Sequence, residues 1–99
     1  MNSPNVASSL PSPVMGGMSY ANASASALIK SGEGTVVGIF VASSSSGTIK
    51  LWDNTSGATT ILVNTFSATA ATWYPLPFRF TTGLYMTLGG TIDCTVSYT

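Results

Sequence analysis

Leu84-Tyr-Met-Thr-Leu-Gly-Gly-Thr-Ile-Asp-Cys-Thr-Val-Ser-Tyr98 is the stretch on which the fold turns. Leu84, Met86 and Leu88 alternate with Tyr85 and Thr87, and beyond the glycines Ile92, Cys94, Val96 and Tyr98 alternate likewise. A period of two is that of a strand with one buried face. A two-residue turn at Gly89-Gly90 sets Leu88 against Thr91 and mixes the faces. A three-residue loop over 89–91 pairs Leu88 with Ile92, Met86 with Cys94 and Leu84 with Val96. The sequence therefore predicts a three-residue hairpin with Gly90 at positive φ. Cys94 then takes a core position as a small hydrophobe, and Asp93 lies on the other face, exposed or paired with Arg79 or a lysine.

The same reading extends upstream. Thr35-Val-Val-Gly-Ile-Phe-Val41 is β-branched and apolar on both sides, as a strand covered on both faces should be. Thr48-Ile-Lys-Leu-Trp-Asp53 alternates after a polar run, and a loop over 44–46 sets Val41 against Ile49 and Ile39 against Leu51 in a second predicted hairpin. Ser31-Gly-Glu-Gly34 and Asn54-Thr-Ser-Gly57 read as turns, the second capped by the Asp53 side chain. Thr60-Ile-Leu-Val-Asn-Thr-Phe66 is a further strand. Trp73-Tyr-Pro-Leu-Pro-Phe-Arg-Phe80 is strand-like, but Pro75 and Pro77 confine it to an edge or an extended connection. Short strands with frequent turns and no helical period make the chain all-β, a small antiparallel β-sandwich of jelly-roll or Ig-like type over residues 26–99.

Residues 1–25 differ. Pro4, Pro11, Pro13, Gly16 and Gly17 stand among Ser, Ala and Asn, which predicts extended or irregular chain. Two readings stand for it: a disordered leader, or an extended arm laid across a neighbouring subunit. Leu10, Val14, Met15, Met18 and Tyr20 are the residues that favour the arm.

Only 6% of the 99 residues are charged, and Lys30, Lys50 and Arg79 balance Glu33, Asp53 and Asp93. Ser and Thr supply about three residues in ten instead. Three cations on a neutral chain cannot neutralise a phosphate backbone, so nucleic acid is excluded as a partner. No run reaches the roughly 20 apolar residues of a membrane helix, and no membrane partner is expected. The opening Met1-Asn-Ser-Pro-Asn-Val6 lacks the basic start and apolar run of a secretory signal, and Cys94 has no intrachain partner; a reducing cytoplasm is the expected site of synthesis. Asn22-Ala-Ser24 and Asn54-Thr-Ser56 match the glycosylation pattern but read as loop asparagines.

Chemistry is sparsely provided for. The chain has no histidine, the usual general acid and base. One cysteine and three scattered acids make a poor metal set, and neither Gly32-Glu-Gly34 nor Gly89-Gly90 continues into a phosphate loop. No enzyme activity, cofactor or metal is expected. Trp, Tyr, Phe, Met and Arg over a Lys- and Glu-poor background is the composition of protein interfaces. The expected contact residues are Leu10, Val14, Met15, Met18, Tyr20, Trp73, Tyr74, Phe78 and Arg79. The alternative is a sugar platform built from Trp52, Trp73, Tyr74, Phe78 and Phe80, with Arg79 as the nearby charged hydrogen-bonding group.

Gly47-Thr-Ile-Lys-Leu-Trp-Asp-Asn-Thr55, Leu62-Val-Asn-Thr-Phe66, Trp73-Tyr-Pro-Leu-Pro-Phe78, Thr82-Gly-Leu-Tyr85 and Gly89-Gly-Thr-Ile-Asp93 resemble the small β-rich virion proteins of tailed bacteriophages. The resemblance covers about residues 32–99 and is one of sequence style, so it carries over no site residues. It implies a capsid cement or decoration protein that binds the major capsid protein as a homo-oligomer, preferably a trimer, and resides in the virion after assembly in the host cytoplasm. A host-recognition fibre or spike module that binds sugar, and a tail or neck structural protein, are the alternatives.

Overall fold

The computed structural model describes residues 18–99. They form β1 (Ser19–Ala23), β2 (Ala27–Ser31), β3 (Gly34–Trp52), β4 (Ile61–Ser67), β5 (Thr72–Phe80) and β6 (Gly83–Tyr98), all antiparallel in one six-stranded sheet. The described residues are all-β, as the alternation predicts. Met18 precedes β1, and Leu10, Val14 and Met15 lie outside the described residues.

Two long strands organise the sheet. β3 and β6 pair along almost their whole length, from Val36↔Tyr98 to Trp52↔Tyr85, and both bend midway. On one side of the bend β1, β6, β3 and β5 lie side by side; on the other, β2, β6, β3 and β4. We call these the first and second layers. Val36, Ile39, Val41, Phe80, Cys94 and Val96 of the first layer and Ile49, Leu51, Leu84 and Met86 of the second are all 0% exposed and belong to one cluster. Sheet residues reach zero exposure only when something covers their face, and each layer covers the other. Burying side chains of this size contributes about 1.5–3 kcal/mol apiece, and this shared core holds the bent sheet closed.

Neither predicted hairpin forms. Ile39 and Leu51, and likewise Met86 and Cys94, lie on the same strand; Met86 pairs with Ala27 and Leu51, and Val41 with Thr72 and Cys94. The polar run Ser43-Ser-Ser-Ser46 and the pair Gly89-Gly90 are bends, not turns. Register shifts at Val41/Ser43 and Ser45/Thr48 let β3 round the corner without losing its apolar parity. Gly90 does have positive φ, 68°, but it serves the bend and lies beside Ser46, also positive at 56°. A Cβ on Gly90 would strike the Ser46 carbonyl oxygen, so glycine is required there for space as well as for φ.

The outer strands cut the corner that the long strands follow, and a serine fixes each shortcut. Ser26 Oγ accepts from Leu88 N (2.9 Å). Ser44 Oγ donates to Ala68 O (2.8 Å) and accepts from Gly47 N (3.1 Å). At the opposite end the chain changes layer through the β2–β3 turn, with Gly32 at φ 94°, and the β5–β6 turn, joined by Gly32 N–H to Thr82 O at 2.9 Å. β5 is an edge strand that pairs with β3 alone, with a register shift between Pro75 and Phe78, which accommodates Pro77. Residues 19–23, placed in the arm by the sequence, are an edge strand in register with β6, and Asn22 lies on that strand rather than in a loop.

Candidate functional site

Directly opposed residues of neighbouring strands share a face, so the register assigns the outer surface of each layer. On the first layer one row runs Trp73–Phe40–Thr95–Asn22 across β5, β3, β6 and β1, and the next Pro75–Gly38–Ser97–Tyr20. Tyr20 is 76% exposed, Trp73 46% and Phe40 43%. A Cβ at Gly38 would fall on the six-membered ring of Trp73, so the indole lies across β3 there. The face is thus aromatic at both flanks, with hydroxyl groups and a glycine between. Its charges are peripheral: Arg79 pairs with Glu33 at 3.1 Å beyond the aromatic rows, and Asp93 accepts from Asn22 Nδ2 at 2.9 Å.

The second layer carries a comparable row, Leu28–Tyr85–Trp52–Ile61. Here the chain supports the two central aromatics itself, while Leu28 and Ile61 at the flanks stay 46% exposed. Trp52 Nε1 donates to Thr87 Oγ1 (2.9 Å), Lys50 Nζ sits 4.2 Å from the indole centroid, and the loop between β3 and β4 brings Gly57 against Trp52 and Tyr85.

The predicted contact residues therefore divide. Trp73 and Arg79 point outward on the first layer, and Tyr20 joins that face from the far edge. Tyr74 and Phe78 oppose the core residues Ile39 and Val36 and so face inward. Tyr74 is half-buried, its ring 5.2 Å from Phe66 of the second layer and its hydroxyl accepting from Thr69 N at 2.8 Å. Phe78 remains 44% exposed because it stands at the edge. Phe40 is the residue sequence reasoning missed. Its strand looked apolar on both sides, and only the neighbouring register shows which side solvent meets.

The acids are engaged in local structure. Asp53 caps not its own turn but the β5–β6 turn, accepting from Thr82 N (2.8 Å), Thr81 N (3.0 Å) and Thr81 Oγ1 (3.2 Å). Partial desolvation pushes its carboxyl up, but the backbone donors of Thr82, Thr81 and Gly83 and the Thr81 hydroxyl together hold it below the ordinary value. Asn54 caps the turn assigned to Asp53, through Thr55 N and Ala58 O. Asp93 pairs with Asn22, and Arg79 with Glu33, rather than with each other. Burial, with help from the Asp93 charge, pushes the Cys94 thiol up to about 11, so it stays protonated at neutral pH.

Among the described residues no three His, Cys, Asp or Glu side chains gather as a metal site, and no cavity opens. What the described surface offers is a broad outer face on the first layer, with charge only at its periphery. Compared with known protein families, curated proteins and solved structures, the chain matches none.

Proposed function

We propose that this chain is a structural protein of a tailed-bacteriophage virion, most specifically a capsid cement protein that adheres to the major capsid protein through the outer face of its first layer. One observation carries the reading: Tyr20, Phe40 and Trp73 share one outer face whose centre holds hydroxyls and no charge. Apolar area of this kind contributes about 25 cal/mol per Å² when a partner covers it. Short Ser and Thr side chains between the rings lose little rotamer entropy on being covered. Repetition over a symmetric shell multiplies a modest contact into firm attachment. The sequence resemblance supports the same reading, and a cement protein needs no catalytic group.

The test is particle stability. Heads lacking this protein are expected to lose resistance to heat, to regain it on addition of the purified chain, and not to regain it with folded Phe40→Ser/Trp73→Ser. Heads equally heat-resistant without the chain would contradict the cement role.

A further inference from the structure

Each layer ends in two edge strands, β1 and β5 in the first and β2 and β4 in the second. An edge presents unpaired N–H and C=O groups, a template for another strand unless something blunts it. Three of these edges are blunted. β5 carries Pro75, Pro77, a register shift and Arg79. β2 carries Lys30 and a register shift beside it. β4 is shifted twice against β3, and its Thr65 N–H is taken by Asn64 Oδ1 at 2.8 Å.

β1 has none of these devices. Ser19-Tyr-Ala-Asn-Ala23 pairs one-to-one with β6 without a shift and contains neither proline nor charge. Among the described residues nothing pairs with its other edge. We propose that two copies of this chain join here, β1 antiparallel to β1 about a two-fold axis through Ala21, merging their first layers into one continuous sheet.

The residues of β1 suit a copy of themselves. With Ala21 on the axis, Tyr20 opposes the partner's Asn22, and the same pair recurs in reverse. Both lie outward, opposite Ser97 and Thr95 in their own sheet. The inward positions are Ser19, Ala21 and Ala23, too small to obstruct the approach. Tyr20, at 76%, is the most exposed of the large hydrophobic residues described, and the pairing would shelter it. No like charges meet along the seam, because β1 carries no charged residue. The three-fold assembly implied by the resemblance would instead set β1 against a different edge. Among the described residues the only other edge of its layer is β5, which lacks N–H donors at Pro75 and Pro77. Five paired residues make a small interface, so dissociation in roughly the micromolar range is expected.

This inference does not rest on the virion reading, since a monomer could still adhere to a shell and a dimer need not. The test is sedimentation equilibrium of the full chain and two folded double variants. The wild type is expected at twice its 10.1 kDa, in a concentration-dependent equilibrium. Tyr20→Lys/Asn22→Lys sets lysine against lysine twice and should dissociate the dimer. Tyr20→Glu/Asn22→Lys sets glutamate against lysine and should bind roughly tenfold or more tighter than the double-lysine variant. A monomeric wild type overturns the proposal, as it would if the chain's own first residues occupied the edge. A trimer, or a dimer indifferent to the sign at position 20, overturns it equally.

Discussion

The two outer faces are built from similar residues and finished differently. The second layer presents Leu28, Tyr85, Trp52 and Ile61, and the chain then attends to its own tryptophan. Thr87 accepts the indole N–H, Lys50 lies on the ring, and the loop after β3 folds over it. The first layer presents Tyr20, Phe40 and Trp73, which among the described residues stay 43% to 76% exposed. An aromatic residue supported within the chain belongs to folding. One left 46% exposed on a nearly chargeless face is available to a partner. Composition alone could not separate Trp52 from Trp73; the difference lies in what the neighbouring strand and loop supply.

Substitutions sharpen this contrast in order of size. Phe80→Ala removes a fully buried ring of the shared core, and should cost about 3–5 kcal/mol in denaturant unfolding. Trp52→Ala should cost about 2 kcal/mol, because packing, a hydrogen bond and a cation contact are lost together. Trp73→Ala should cost less than about 1 kcal/mol, since roughly half of the side chain is already in water. If Trp73→Ala proved the more damaging of the two to folding, the faces would not be finished as described.

Acid gives a finer test of the second face, whose covering loop begins at Asp53. The folded carboxyl titrates below its unfolded value of about 3.9, so its contribution is present above that pH and is lost as pH falls through the folded value. Unfolding free energy measured from pH 6 down to pH 2 should therefore decline in the acid range. Asp53→Asn should be less stable near neutrality and show a shallower acid decline. An identical acid slope in both proteins would remove Asp53 from this role.

The sequence made much of this fold legible. Alternation and β-branched runs marked β3, β4 and β6 and placed Cys94 in the core. Pro75 and Pro77 left β5 as an edge or an extended connection, of which it is the edge, whereas β1 fell within the stretch read as an arm. The corners were not legible. Leu84, Met86, Leu88, Ile92, Cys94 and Val96 all occupy even positions, as a three-residue hairpin demands and as one uninterrupted bent strand demands equally. Local pattern cannot choose between them, because the choice depends on whether outside strands are available to flank each half. β1, β2, β4 and β5 provide those flanks, and pairing with them replaces the two hairpins. Phe40 escaped notice for a related reason: in an apolar run, which side is buried is decided by the register with β5 and β6.

The central claim is that the first-layer face, not the second, meets the shell. Hydroxyl-radical footprinting of the purified chain and of intact virions compares the faces within one molecule. Oxidation of Trp73 and Phe40 should fall several-fold in the virion, with Ile61 and Leu28 oxidised as in the free chain. Protection of Ile61 and Leu28 with Trp73 and Phe40 left reactive would contradict the account.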